Sequence, residues 1–217
     1  MARKIIKYLV LVLITGLLAY NSVYIKKLSE VHAKEPVAFN AARFAQQLWE
    51  KQLPARLDSA ITLDSLAAAL KTDPARAFHK YFNSLSIGNI RYGLVKITGT
   101  VLSVNDDEVM VLPTDGNGNS HPVTITTEYV YGNAIRDASR LVDIKDFVNT
   151  TDLNNISEAL NKIVRTTVAT GLKTAVKKGD RVTCTGAIEL NEARIERSRT
   201  YPLDDLELIP VQWKIID

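Results

Sequence analysis

An α+β fold is what this sequence predicts, and three observations predict it. Apolar residues recur at helical spacing over residues 40–83, alternate as in strands from Ile90 onward, and form one further long helical stripe between Leu153 and Leu172. At 217 residues, 46% hydrophobic and 24% charged, the chain can bury one core of ordinary size with a small helical part beside it. The expected layout is a signal-anchor helix over 1–27, a stalk over 28–37 and a single domain over 38–217. Within that domain the helical part covers 38–83 and the strand-rich part 90–217.

The N-terminal stretch reads IIKYLVLVLITGLLAYNSVY, with Lys7 its only charge and a continuous apolar centre from Tyr8 to Ala19. Basic residues ahead of it favour insertion with the N-terminus in the cytoplasm. Signal peptidase requires small residues at A-x-A-like spacing, and Ala19-Tyr20-Asn21 is a poor match. The expectation is an uncleaved single-pass anchor in the bacterial cytoplasmic membrane, with Tyr20 and Tyr24 at its outer interface and the domain on the periplasmic side. A cleaved signal sequence is the alternative.

Asn40 is placed to cap a helix carrying Ala41, Phe44, Ala45, Leu48 and Trp49 on one face, which Pro54 ends or kinks. Thr62 caps a second helix, with Leu63, Leu66 and Leu70 inward, and Asp73-Pro74 opens a third carrying Phe78 and Phe82. Trp49, Phe78, Tyr81 and Phe82 could stack a ligand, but aromatic residues at helical spacing ordinarily pack into a core. His79 has no ligand partner at i+3 or i+4.

Tyr92 to Val104 reads as one long strand bent at Gly99 and shared between two sheets. Glu108 to Pro113 returns as the second strand. The loop Asp115-Gly-Asn-Gly-Asn119 spaces its oxygens like a calcium loop, but Ser120 and Thr126 stand where Gly and a bidentate Glu are needed, so a hairpin turn explains it. The third strand is expected to carry Val123, Ile125, Thr127, Tyr129 and Tyr131 on one face. After Asp152, read as the cap of the long helix, come a fourth strand with Val182, Cys184, Gly186, Ile188 and Leu190, and a charged loop from Arg194 to Arg199. A fifth strand shifts phase at Pro210, as a bulge requires. Three strands, a long helix and two more strands, the first bent at a glycine, match an OB-like, five-stranded, partly open β-barrel. A plain α+β sandwich is the alternative.

The stretch YGNAIRDASRLVDIKDF, Tyr131 to Phe147, mixes Asn, Arg, Asp and Ser with apolar residues at the strand-to-helix junction. Asn133 is placed to cap a short helix with Ile135, Ala138 and Val142 inward, which leaves Arg136, Asp137 and Arg140 largely outside that face. Asn133, Arg136 and Asp137 are therefore the candidate ligand-binding residues, offering donors and acceptors to a sugar hydroxyl or a carboxylate. The structural alternative is that Arg136 and Asp137, with Asp143 or Asp146, form an ion-pair network that fixes the turn.

The net charge is +3, from 27 basic and 24 acidic residues, and Arg3, Lys4 and Lys7 account for the excess. The rest is neutral, which argues against nucleic-acid binding. Cys184 is the single cysteine; it reads as a buried hydrophobe, and no Cys/His spacing suggests a metal. No catalytic residue, metal or cofactor is expected, since GxSxG, HExxH, P-loop and dinucleotide fingerprints are absent. An extracytoplasmic hydrolase using polar residues over 133–146 is the alternative to a binding or scaffolding role. The sequons at Asn149 and Asn155 read as chance matches.

With YNSVYIKKL, FNAARFAQQLWEKQLP, IGNIRYGLVKITGTV, YGNAIRDASRLVDIKDF and KKGDRVTCTGAIELN in view, the chain resembles an uncharacterised bacterial family described as predicted periplasmic lipoproteins. The resemblance implies an extracytoplasmic location. Because such relatives are often encoded beside sugar-type ABC importers, it also implies ABC transporter components as partners and an accessory role in solute uptake. It supplies no catalytic residues, and this sequence departs from it in having no cysteine near the anchor to accept lipid.

Overall fold

The computed structural model describes residues 2–22, 39–114, 121–198 and 205–216. The stalk, the loop at 115–120, Tyr24 and Arg199 lie outside the described residues. The chain divides into two units, Met1–Phe39 and Asn40–Asp217.

The first unit contains α1 (Ala2–Ser22), along which Ile5, Leu9, Val12 and Leu13 are exposed. Among the described residues no helix is long and apolar enough to cross a membrane, so the expected single-pass span has no support here. The apolar run from Tyr8 to Ala19 contains Thr15 and Gly16 and is shorter than the ~20 predominantly apolar residues of a typical span.

The second unit opens with four short helices whose ends follow the expected punctuation. Asn40 Oδ1 accepts from Arg43 N (2.9 Å) to start α2 (Ala41–Lys51), and Pro54 sits in the first turn of α3 (Leu53–Asp58). After β1 (Ile61–Thr62), the Thr62 hydroxyl caps α4 (Leu63–Thr72), and Asp73 caps α5 (Pro74–Tyr81), accepting from Arg76 N at 3.0 Å. Phe78 and Phe82 are buried with ring centroids 4.9 Å apart, so they pack the core as aromatic spacing predicts. Phe82 itself belongs to β2 (Phe82–Asn83).

The barrel consists of β3 (Ile90–Val104), β4 (Glu108–Pro113), β5 (Val123–Thr126), β6 (Arg181–Asn191) and β7 (Glu207–Ile215), in the order β3-β4-β5-β7-β6, with β6 returning to β3. Residues 90–100 of β3 pair with β6 and residues 99–104 with β4, so the one strand serves both sides of the barrel. Gly99 makes the corner possible, because a Cβ there would lie 2.3 Å from the Leu112 carbonyl oxygen. The parallel seam between β5 and β7 rests on two residue pairs, Thr124 with Glu207 and Ile125 with Leu208. The break in β7 is a bulge: Thr185 pairs with Gln212 and Gly186 with Pro210, leaving Val211 as the extra residue.

Several expectations are corrected. β5 ends at Thr126 because the N–H groups of Thr127 and Glu128 both donate to Asp107 O, at 2.8 and 3.3 Å, which draws the chain off the ladder and leaves Tyr129 and Tyr131 exposed. The long helix α7 (Thr150–Ile163) is capped by Asn149 rather than Asp152. Asn149 Oδ1 accepts from Asp152 N while Asn149 Nδ2 donates to Asp152 Oδ2, so the two residues bond reciprocally. It continues through a π-turn (Val164–Ala169) into α8 (Thr170–Ala175). The charged excursion after β6 folds as α9 (Glu192–Ser198), with Ile195 buried against the barrel core.

Two apolar cores result. One fills the barrel and includes Val95, Ile97, Val111, Ile125, Cys184 and Leu208. The other lies outside it, where Leu94 and Ala187 meet Leu48, Ile135, Ile156 and Leu160 of the surrounding helices.

Candidate functional site

The short helix α6 (Ala134–Ser139) is buried along its whole length, because β3 and β6 cover it on one side and α7 on another. Arg136 is 3% exposed and Asp137 0%, which overturns the expectation that they lie outside the apolar face. A single covered stripe is the rule for a surface helix; α6 is covered on more than one. A charge there is tolerated only if paired and hydrogen-bonded. Arg136 Nε donates to Asp137 Oδ1 (2.7 Å) and Arg136 Nη1 to Leu153 O (3.1 Å). Asp137 Oδ2 accepts from Leu85 N (2.9 Å), and its carbonyl accepts from Asn83 Nδ2 (3.1 Å).

Asn133 joins the same network differently from the expected side-chain cap. Its carbonyl accepts from Asp137 N (2.9 Å), while its Oδ1 accepts from Ser157 Oγ (3.0 Å) of α7. Asn161 Nδ2 adds a bond to Gly132 O (2.9 Å). The structure thus brings Asn133, Arg136 and Asp137 together as a polar layer that ties the turn before α6 to α7 and to the segment after β2. Asp143 and Asp146 do not complete this network; both line the cleft in front of it, with Asp143 Oδ1 accepting from Lys145 N to cap a single 3₁₀ turn (Ile144–Asp146).

That cleft has a volume of about 1050 Å³. One wall is the Ser84–Gly88 loop, the wall that Asp137 fastens at Leu85; the other runs from Arg140 to Asp146. Arg140 adopts a left-handed conformation (φ 55°), which closes α6 and sends its guanidinium to the carbonyls of His79 (3.1 Å) and Phe82. Burial, and then the nearby Arg56, lower its pKa, yet a guanidinium remains charged at neutral pH. At the far end Arg91 pairs with Glu192 (2.8 Å) and donates to Gly88 O (2.7 Å), while Gly88 holds a φ of 132° that side-chain-bearing residues rarely adopt. Behind the network, the Tyr92 hydroxyl is pushed up to about 12, first by burial and then by Glu189 and Asp137.

The cleft therefore presents cations, carboxylates and hydroxyls around an opening beside the fully exposed Ile87. Such a lining can hydrogen-bond a polar ligand from several sides. Ser84 and Ser86 bond to each other within their loop. Among the described residues no group of three or more His, Cys, Asp or Glu is arranged to hold a metal. Sequence reading missed His79, Arg91 and the Ser84–Gly88 loop as parts of a site. The signal available was the run Ser84-Leu-Ser-Ile-Gly88-Asn89, whose composition is that of a loop between a helix and a strand.

A family model described as "Predicted periplasmic lipoprotein (DUF2291)" matches residues 13–212. The chain belongs to this family. Cys184, the single cysteine of the sequence, is fully buried in β6, where burial raises the thiol pKa. The crystal structure of an OB-fold protein from Thermotoga maritima is similar to this protein, at 22% identity and a TM-score of 0.66, over 82% of this chain and 99% of that one. At that identity the likeness shows the fold alone, and it agrees with the OB-like barrel that the strand order predicts. No curated protein matches the chain.

Proposed function

We propose that this member of the predicted periplasmic lipoproteins is an extracytoplasmic binding or scaffolding accessory protein. Its cleft takes a small polar ligand, a sugar or polyol, and the protein works beside an importer of such solutes. The single observation that carries the reading is the cleft of about 1050 Å³ whose wall at Leu85 is fastened by a buried ion pair. Burying two charges is a costly way to gain stability, and its best-attested benefit is a fixed arrangement. The periplasmic description of the family supports the location. The exposed apolar residues of α1 support membrane contact through that helix.

The test is a thermal-shift screen of the full-length protein with sugars and polyols. A ligand that binds only the folded state raises Tm; the expected rise disappears in Arg91→Ala and Asp143→Ala, while both variants still fold. No rise with any sugar or polyol would remove the ligand from the proposal and leave scaffolding, which co-purification of a permease from washed membranes would support. Recovery of the full-length chain in the soluble fraction after carbonate washing would overturn the membrane contact.

A further inference from the structure

We propose a second binding site, separate from the cleft: the crevice between the end of β5 and the π-turn of the long helix binds a small oxyanion, such as phosphate, sulfate or a carboxylate group. The crevice measures about 260 Å³ and is lined by Thr127, Glu128, Arg165, Thr170, Lys173 and Thr174, none of which lines the larger cleft. Pockets for drug-sized molecules span roughly 300–1,000 Å³, so this one suits an ion or the charged end of a longer molecule.

Three independent features converge there. Thr127 is 4% exposed and its Oγ1 has no hydrogen-bond partner, a condition that calls for a missing partner. The helix departs from α geometry at Val164–Ala169, and Thr170 Oγ1 donates to Arg165 O across the widened turn (2.9 Å). The i to i+5 spacing of a π-turn sets Thr170 above Arg165, whereas in an unbroken α-helix residue i+5 points to the far side. π-turns recur at functional sites.

The third feature is an excess of donors. Arg165 Nη1 donates to Val130 O (2.6 Å), Arg165 Nη2 to Glu158 Oε1 (2.5 Å), and Lys173 Nζ to Asp106 O. A guanidinium carries five N–H groups and an ammonium three, so both cations keep donors to spare. The Thr170 and Thr174 protons are turned back to helix carbonyls, and Glu128 is the one carboxylate in the lining. Glu158, outside the lining, offsets part of the Arg165 charge, so Lys173 supplies most of the attraction and Thr127 the hydrogen bond at the floor.

The experiment is an NMR titration of the full-length protein in detergent micelles with inorganic phosphate, sulfate and acetate at constant ionic strength. Saturable shifts are expected at the amides of Thr127, Glu128, Thr170 and Lys173. The ranking of acetate against phosphate distinguishes a carboxylate from a phosphate ligand. Lys173→Met and Thr127→Val should each weaken binding about tenfold, the loss of one charge-assisted hydrogen bond, with Thr127→Val as well folded as the parent. Unchanged affinity in Thr127→Val overturns the proposal. So does the absence of saturable shifts, which would assign the Thr127 hydroxyl to a buried water.

Discussion

The two cores of the domain are built on different principles. Inside the barrel, Val95, Ile97, Val111, Ile125, Cys184 and Leu208 meet in an apolar cluster. Outside it, the apolar layer of Leu48, Leu94, Ile156 and Leu160 adjoins buried Arg136, Asp137, Ser139, Ser157 and Asn161. Apolar burial has no direction, so it closes a barrel without choosing where a neighbouring loop goes. A hydrogen-bonded ion pair does choose, because each bond demands its partner at about 3 Å. The cleft wall is attached to the second core at Leu85, so the polar layer positions the cleft while the barrel interior closes the sheet.

The contrast is broken most severely by Asp137→Ala. That change leaves Arg136 buried without its carboxylate and Leu85 N without its acceptor, and the expected loss is about 3–5 kcal/mol in urea denaturation. Gly99→Ala probes the barrel instead. Its new methyl meets the Leu112 carbonyl oxygen at 2.3 Å, so a loss of about 1–3 kcal/mol is expected, with ligand-induced Tm shifts at the cleft retained. The smallest effect lies with Tyr92 at the border of the polar layer. Its pKa, pushed up to about 12, exceeds the usual value near 10, so the folded state holds the proton more tightly than the unfolded chain. Stability is therefore expected to fall as pH rises from about 10 through 12, and Tyr92→Phe should flatten that slope.

Local signals were legible in the sequence, and signals depending on distant partners were not. Asn40, Thr62 and Asp73 cap the helices they precede, because an N-cap acts within three residues of itself. The corner at Gly99 and the bulge beside Pro210 were equally readable, since glycine and proline restrict the backbone wherever they stand. Asn149 and Asp152 are both competent caps three residues apart, and spacing alone did not separate them. The third strand looked longer than it is because alternation continues to Tyr131 while the Asp107 carbonyl captures two N–H groups from another part of the chain.

The candidate site was half legible. Asn133, Arg136 and Asp137 stand out in the sequence as candidate ligand-binding residues, and in the structure Arg136 and Asp137 form the ion pair of the structural alternative, without Asp143 or Asp146. The burial of Arg136 and Asp137 was hidden because a six-residue helix shows too little periodicity to reveal that it is covered on more than one side. The opposing wall was invisible for a topological reason: the bonds from Asn83 and Leu85 to Asp137, and from Arg140 to His79, join residues 54, 52 and 61 positions apart.

Whether the buried pair holds the Ser84–Gly88 loop is decided by amide hydrogen exchange at Leu85 in the double variant Arg136→Met/Asp137→Leu. Replacing a buried pair by apolar side chains of similar volume is often neutral for stability, so the double variant should recover most of what Asp137→Ala loses. If the buried pair holds the loop, Leu85 then exchanges markedly faster while Ile97 and Cys184 in the barrel keep their protection. Unchanged protection at Leu85 would contradict this, showing that the loop is held in place without the buried pair.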